Sequence, residues 1–441
     1  WQRLVKAPSN RELTPTYITR LTQSITEKNR MDLLRLRAVR LSSGEYCAVD
    51  STSRCAYGAS LADIKWGKNK ERLPLEQTVE VVVYALNSHM PVYYRTFPGN
   101  IPDSRTLETI LVDLSHAGFK DIILITDRGY EKIRSLESYI LKGQEMIMCT
   151  KVQQKHVLEK INGLGSFDSR PDAMSIDPRT RLYYKQYDLS YSAVNKGEAV
   201  KEADRLRLNL YFDSVRRSSE LLQLDIDISK QQVTLAKLAD SKAAIDDETA
   251  LGRECCYFTV TLDKTSGAIQ HYAVNEKKVA KAHKVSGFFS ITTHKIDLTA
   301  MEVFEAYRLR DEQEKYFEQM KDQMVADRQR NWSEEGKIGR LFIMFVSLVI
   351  SSYVRHIWRS TELYEHFTSS LEVLDEMRSI RCVEHTNKTK LITPFVGDQT
   401  GICRAFDIEV PEGCSPDYVS KQTFSHRRGR PRKYKTIEHD L

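Results

Sequence analysis

Three carboxylates stand out by type and placement. Asp50 in "AVDSTS" and Asp127 in "LITDRGY" each follow a short apolar run that reads as a strand, Tyr46 to Val49 in the first case and "DIILI" in the second. Alone, either reads as a turn or helix-capping aspartate. Together, at the ends of neighbouring strands, they form a hard oxygen site suited to Mg²⁺ or Mn²⁺. Glu314, in "YRLRDEQEKYFEQMK" (Tyr307 to Lys321), completes the site if its helix lies against the same sheet edge. Two such ions activate a water or a 3′-hydroxyl and stabilise the leaving oxygen of a phosphodiester.

The stretch around Glu314 reads as one helix. At about 100° per residue, Tyr307, Arg310, Glu314 and Lys321 share an arc of about 60°. Leu309, Tyr316, Phe317, Met320 and Met324 form an apolar stripe beside it, interrupted by Gln313. On this reading Arg310 and Lys321 hold backbone phosphates, the arginine bidentately, and Tyr307 adds a hydroxyl. Solvated helices carry such charges by chance as well, so the rest of the chain has to decide.

The elements that must position these groups are legible in order. Residues 1–44 read as a helix pair ending near Gly44; the first residue is Trp, so a preceding segment is expected to be missing. After Asp50 and a basic loop, "QTVEVVVYALN" and "MPVYYRTFP" read as a hairpin. "DSRTLETILVDLSHAG" is a helix, with Asp103 or Ser104 as the expected N-cap and Gly118 as the stop. The strand entering Asp127 does not alternate, which suggests a central position covered on both faces. A helix and the strand "EMIMCTKV" follow. Strand, hairpin, helix, strand, helix, strand describes an α/β fold, a mixed sheet flanked by helices. It is divided here into residues 45–151 and 285–360. An inserted, mainly β subdomain occupies 152–284, with "RLYYKQYDLSY", "RLRLNLYFD", "ELLQLDIDI" and "CCYFTVTLD" as strand-like pieces. Residues 361–441 form a C-terminal region with a basic tail.

With 441 residues, 41% hydrophobic and 29% charged, the chain is globular in composition, and a formal charge of +6 permits a nucleic-acid partner without demanding one. Eight cysteines include no CxxC pair, which argues against a zinc site. The strongest apolar run, Leu341 to Val354, is 14 residues long, short of the roughly 20 that span a bilayer, and reads as a buried helix. Two basic segments suit DNA. Lys65, Lys68 and Lys70 lie in the loop after the first aspartate, where a merely solvated loop is the competing reading. "RRGRPRK" holds the Arg-Gly-Arg-Pro core of an AT-hook, whose Arg428 and Arg430 suit a narrow minor groove; a disordered basic tail is the alternative.

These motifs, in this order, resemble the DDE transposases of the IS4 superfamily. The spacing Tyr307, Arg310, Glu314, Lys321 matches that group's signature at every position, and "PVYYRTFPGNIPDSRTL" resembles its segment between the two aspartates. The IS1634-like branch is the most similar. The resemblance covers roughly Glu45 to Val354. It implies an RNase H-like core with an insertion before the glutamate. Asp50, Asp127 and Glu314 would be its Mg²⁺-binding triad, with Mn²⁺ as a substitute. Tyr307, Arg310 and Lys321 would hold the DNA end. The implied partners are double-stranded DNA with terminal inverted repeats and target DNA, and a second copy of the chain. The expected setting is cytoplasmic and DNA-associated, without a membrane. A non-catalytic DNA-binding protein derived from a transposase, and another nuclease of the same fold, are the competing functions.

Overall fold

The computed structural model describes residues 14–56, 61–67, 75–165, 171, 173–195, 197–242, 244–245, 247–263, 265–311, 328–329, 333–384 and 390–410. They fall into two compact units. The larger is Pro15–Ser352; the smaller comprises Thr14 and the residues from Tyr353 on.

The larger unit is organised by one sheet. β1 (Glu45–Ala56), β2 (Gln77–Ala85), β3 (Met90–Pro98), β4 (Ile122–Thr126) and β5 (Met146–Thr150) lie in the order β3-β2-β1-β4-β5. β2 is antiparallel to both β1 and β3, and β1, β4 and β5 run parallel. This is an RNase H-like sheet. Its strands are β-branched and aliphatic runs buried on both faces; all nine residues of β2 are buried. Two connections end in left-handed glycines. Gly118 (φ 88°) stops α3 (Asp103–Ala117), and Gly143 (φ 65°) stops α4 (Ile133–Lys142).

Strand alternation sends side chains to two separate cores. Cys47 and Val49 of β1 and Leu124 of β4 meet Leu107, Ile110 and Leu114 of α3, together with Leu34 of α2 (Glu27–Ala38), which follows α1 (Pro15–Ser24). Ala48 and Ile125 point the other way, to Val303 and Ala306 of α9 (Ala300–Arg308) and to Leu341, Phe345 and Leu348 of α10 (Glu334–Ser360). The doubly covered position expected for the strand before Asp127 is therefore observed. Among the described helices α10 is the one long and apolar enough to cross a bilayer; its Leu341–Phe345–Leu348 face packs on the sheet, with Phe345 against Tyr94 at 4.6 Å between ring centres.

The insertion prolongs this sheet and adds smaller pieces. α5 (Lys155–Asn162) leads to β6 (Ser175–Ile176), β7 (Tyr183–Asp188), β8 (Ser192–Asn195), β9 (Glu198–Glu202) and β10 (Arg207–Phe212). Then come α6 (Ser214–Ser241), α7 (Glu248–Glu254), β11 (Phe258–Leu262), β12 (Ile269–Val274), α8 (Glu276–Val285) and β13 (Phe288–His294). β13, β10, β7 and β6 extend the sheet beyond β5, whereas β8–β9 and β11–β12 are separate hairpins. One piece differs from expectation: "ELLQLDIDI" lies within the 28-residue α6. The Asp213 carboxylate caps that helix by accepting from the N–H groups of Val215 and Arg216. Its apolar residues Leu224, Ile228 and Leu235 recur at helical spacing on one face.

The two-residue strand β14 (Arg328–Gln329) pairs with the end of β1. In the smaller unit, α11 (Leu363–His366), α12 (Ser370–Met377), the hairpin β15 (Cys382–Glu384) and β16 (Lys390–Ile392), and α13 (Gln399–Ala405) enclose Trp358, Leu363, Val373 and Ile402.

Candidate active site

The sequence places Asp50 just past a strand; the structure places it inside one. β1 continues through "DSTSRCA" because that polar half pairs with β2 throughout, Asp50 opposite Val82 and Cys55 opposite Gln77. β4, in contrast, ends at Thr126, the partner of Val49. Asp50 and Asp127 therefore occupy the next position on adjacent parallel strands, with Cα atoms on the order of 5–6 Å apart by ordinary strand spacing. Asp50 follows Val49 of the α3-side core, so alternation turns its side chain toward α9; Asp127, just past β4, lines one cavity with Tyr307 and Arg310.

Asp50 is buried, and its Oδ1 accepts the N–H of Ser51 at 2.7 Å. Asp127 is half-buried; its Oδ1 accepts the N–H of Gly129 at 2.7 Å, which folds the chain after β4 into a tight turn. A Cβ at Gly129 would lie 3.0 Å from Asp127 Oδ1 and 3.0 Å from Asp103 Oδ2, so a side chain there would push both carboxylates aside. Asp103 is the first residue of α3 rather than its cap, which is Pro102. That carboxylate is the residue sequence reasoning missed here, having read it only as a helix cap.

α9 carries Tyr307, and the turn after it Arg310, to the acids. It starts with a capping box between Thr299 and Glu302 and ends at Arg308. The expected unbroken helix from Tyr307 is thus interrupted: the N–H groups of Leu309 and Arg310 bond three residues back, to Ala306 and Tyr307. Leu309, assigned to the buried stripe, is 43% exposed, since the tighter turn swings it outward. Arg310 Nη1 donates to the Tyr307 hydroxyl at 3.0 Å, and Nη2 stands 3.8 Å from Asp50 Oδ2, with both side chains largely buried. Burial, with the nearby Cys149, pushes the Tyr307 phenol upward, so it remains a neutral hydroxyl.

A cavity of about 500 Å³ opens beside Asp127 and is lined by Arg128, Arg216, Phe289, Phe304, Tyr307, Arg308 and Arg310 among others. Arg128, Arg216 and Arg308 have no periodic signature and were not legible beforehand. Lys65 is exposed and bridges Gln77, whose partner Cys55 lies five residues beyond Asp50, on the order of 17 Å along the strand. Glu314, Lys321, Lys68, Lys70, Arg428 and Arg430 lie outside the described residues.

Asp50 and Asp127 fit a divalent cation in kind: oxygen donors on one face, one of them already neutralised by a guanidinium where a cation's charge would act. Among the described residues, no group of three His, Cys, Asp or Glu side chains converges as a metal site.

The family model for the transposase DDE domain matches residues 42–350. The chain belongs to that family. Among curated proteins none matches. Among solved structures, the chain is similar to the Mos1 transposase paired-end complex with left transposon end, at 15% identity, covering 32% of this chain and 45% of that one with a TM-score of 0.18. It is also similar to the piggyBac transposase synaptic complex with hairpin DNA, at 9% identity, covering 83% and 64% with a TM-score of 0.27. The chain spans less than two thirds of either protein's length, and likeness this slight carries no argument about function.

Proposed function

We propose that the protein is a catalytic transposase that binds terminal inverted repeats and performs metal-dependent DNA strand cleavage and strand transfer. The adjacency of Asp50 on β1 and Asp127 just past the end of β4, facing Arg310 and Tyr307, carries this reading. Membership of the transposase DDE family supports it. Within that family we assign the chain to the IS4 superfamily and its IS1634-like branch, on the spacing Tyr307, Arg310, Glu314, Lys321.

In this proposal Asp50, Asp127 and Glu314 hold Mg²⁺, with Mn²⁺ as a substitute. The bound ions supply an activated oxygen nucleophile and stabilise the leaving oxygen. The chain's own residues do the rest. Asp50 and Asp127 are held rigid by backbone N–H groups, which preorganises the oxygens. Tyr307 orients Arg310, its hydroxyl oxygen accepting a hydrogen bond from Nη1. A phosphate arriving at the acids competes with Asp50 for that guanidinium. Lys321, Lys65, Lys68 and Lys70 hold further phosphates. Arg428 and Arg430 enter a minor groove. The core is built from residues 45–151 and 285–360, residues 152–284 are its insertion, and 1–44 and 361–441 flank it. Two copies act together on DNA in the cytoplasm, without a membrane.

The test is cleavage of DNA carrying the inverted repeats that bracket the reading frame. Cutting that needs Mg²⁺ or Mn²⁺ and disappears in Asp50→Asn and Asp127→Asn supports the proposal. Repeat binding with no cutting under any metal condition would leave a non-catalytic, transposase-derived DNA-binding protein.

A further inference from the structure

The centre has a second side. Asp50 and Asp127 face α9, but Asp103 approaches the same point from the α3 face. One position, the Cβ that Gly129 lacks, lies 3.0 Å from both Asp103 Oδ2 and Asp127 Oδ1, so those oxygens are at most about 6 Å apart. Among the described residues these acids do not converge as a joint metal group.

Tyr130 supplies an independent pointer. It is fully buried, its ring belongs to the α3-side core, and its hydroxyl has no hydrogen-bond partner among the described residues. Buried hydroxyls are rarely left so, because the lost hydration is not replaced. Burial first, and then the carboxylates of Asp103, Asp50 and Asp127, push its phenol well above the ordinary range. There is also room for water: a cavity of about 410 Å³ lies against this side, lined by Ser51, Ser53, Gln77, Asn100, Asp103 and Gly129 among others. At about 30 Å³ per molecule it accommodates on the order of ten waters.

We infer that Asp103 and Tyr130 are positioning residues of the catalytic centre, orienting the Asp127 carboxylate and its water from the α3 side when a divalent cation is bound. The inference rests on the metal-dependent reading above. Asp103 accepts from cation-bound water, and the Tyr130 hydroxyl donates to the carboxylate oxygens that the cation leaves uncovered. Supporting partners of this kind orient ligands and tune affinity.

The experiment is a Mn²⁺ titration of the full chain without DNA, read by calorimetry, with a thermal melt in chelator alongside. Asp103→Asn and Tyr130→Phe are each expected to raise the Mn²⁺ half-saturation about tenfold. Asp103→Glu should recover most of it. The chelator melt of Tyr130→Phe should match or exceed the parent's, since an unpartnered hydroxyl has gone. If both variants take up Mn²⁺ like the parent while Asp127→Asn does not, the positioning role is overturned and the metal reading stands. A lowered chelator melt with unmoved half-saturation makes the two residues mere packing and overturns it equally. A parent chain that takes up no Mn²⁺ overturns the metal reading and this inference with it.

Discussion

Arg310 Nη2 stands 3.8 Å from Asp50 Oδ2, so a residue whose spacing suggested a grip on DNA is tied into the acid centre. Removing it leaves a buried carboxylate without that counter-charge. Arg310→Ala is expected to lower stability by about 1–3 kcal/mol in chelator, and Mg²⁺ should restore most of the loss by supplying charge at the same place. Arg310→Lys should rescue only partly, because one ammonium cannot reach both Tyr307 and Asp50 as the planar fork does. Thermal melts with and without Mg²⁺ read this; identical melts for parent and Arg310→Ala in chelator rule it out.

Asp50→Asn and Asp127→Asn keep size and remove charge. Each should cut repeat ends at least about 10³-fold more slowly, the scale of several kcal/mol of lost transition-state stabilisation. Folding should barely change for Asp127→Asn, since its amide oxygen can still accept from Gly129. Single-turnover cleavage and a melt give the two readings.

Acid stability has a different centre. Asp113 accepts from Arg95 at 2.5 Å and from Tyr93 at 2.9 Å, with Arg30 at 3.3 Å. Burial favours its neutral form, yet the Arg95 and Tyr93 bonds and the two arginine charges prevail, so its pKa lies below the ordinary value of 3.8. A depressed carboxylate pKa stabilises the fold above the unfolded value and loses that contribution as pH falls through the folded one. Stability should therefore drop below about pH 4, and Asp113→Asn should flatten this part of the profile. The same variant should cost about 2–4 kcal/mol at neutral pH, since Arg30 is left buried with less charge around it. Urea midpoints from pH 2 to 7 measure both.

Two glycines separate helix propensity from packing. A Cβ at Gly339 in α10 would lie 1.8 Å from the Thr22 carbonyl oxygen of α1, whereas one at Gly252 in α7 meets nothing within 4 Å. Alanine is the better helix former by about 1 kcal/mol at either site. Gly252→Ala should stabilise by up to that amount. At Gly339 the backbone clash wins, and Gly339→Ala should destabilise by about 1–3 kcal/mol as α1 is forced off. Paired melts decide it.

The sheet was legible because its signals are local: β-branched runs in β2, glycine stops at Gly118 and Gly143, and an apolar run feeding Asp127. Its errors came where tertiary pairing overrode composition. "DSTSRCA" looks like a loop but is strand, since β2 pairs along all of it. "ELLQLDIDI" looks like a strand but is helix, since Leu224 and Ile228, four residues apart, fall on one buried α6 face while Ile226 points outward. Asp50 and Asp127 were found by their placement after apolar runs. Asp103 was hidden, because the turn at Gly129 brings it near Asp127 and no spacing announces that approach.

The last prediction concerns the residues just past α9. A continuous helix from Tyr307 would bury Leu309 in its apolar stripe, so that Leu309→Asp lowers folding stability. The structure ends α9 at Arg308 and leaves Leu309 43% exposed. Surface substitutions of this kind stay within about 0.5 kcal/mol, so Leu309→Asp should melt close to the parent. Any effect on activity would then come from a new negative charge one residue from Arg310, weakening engagement of DNA rather than folding. Glu314→Gln, by the proposed metal role, should abolish cutting while leaving repeat binding intact or slightly tighter through lost repulsion from phosphate. Measuring binding, cutting and melting for both variants distinguishes the cases. A Leu309→Asp protein that melts several degrees early restores the continuous buried stripe, and a Glu314→Gln protein that cuts normally moves the third carboxylate to Asp311 or Glu318.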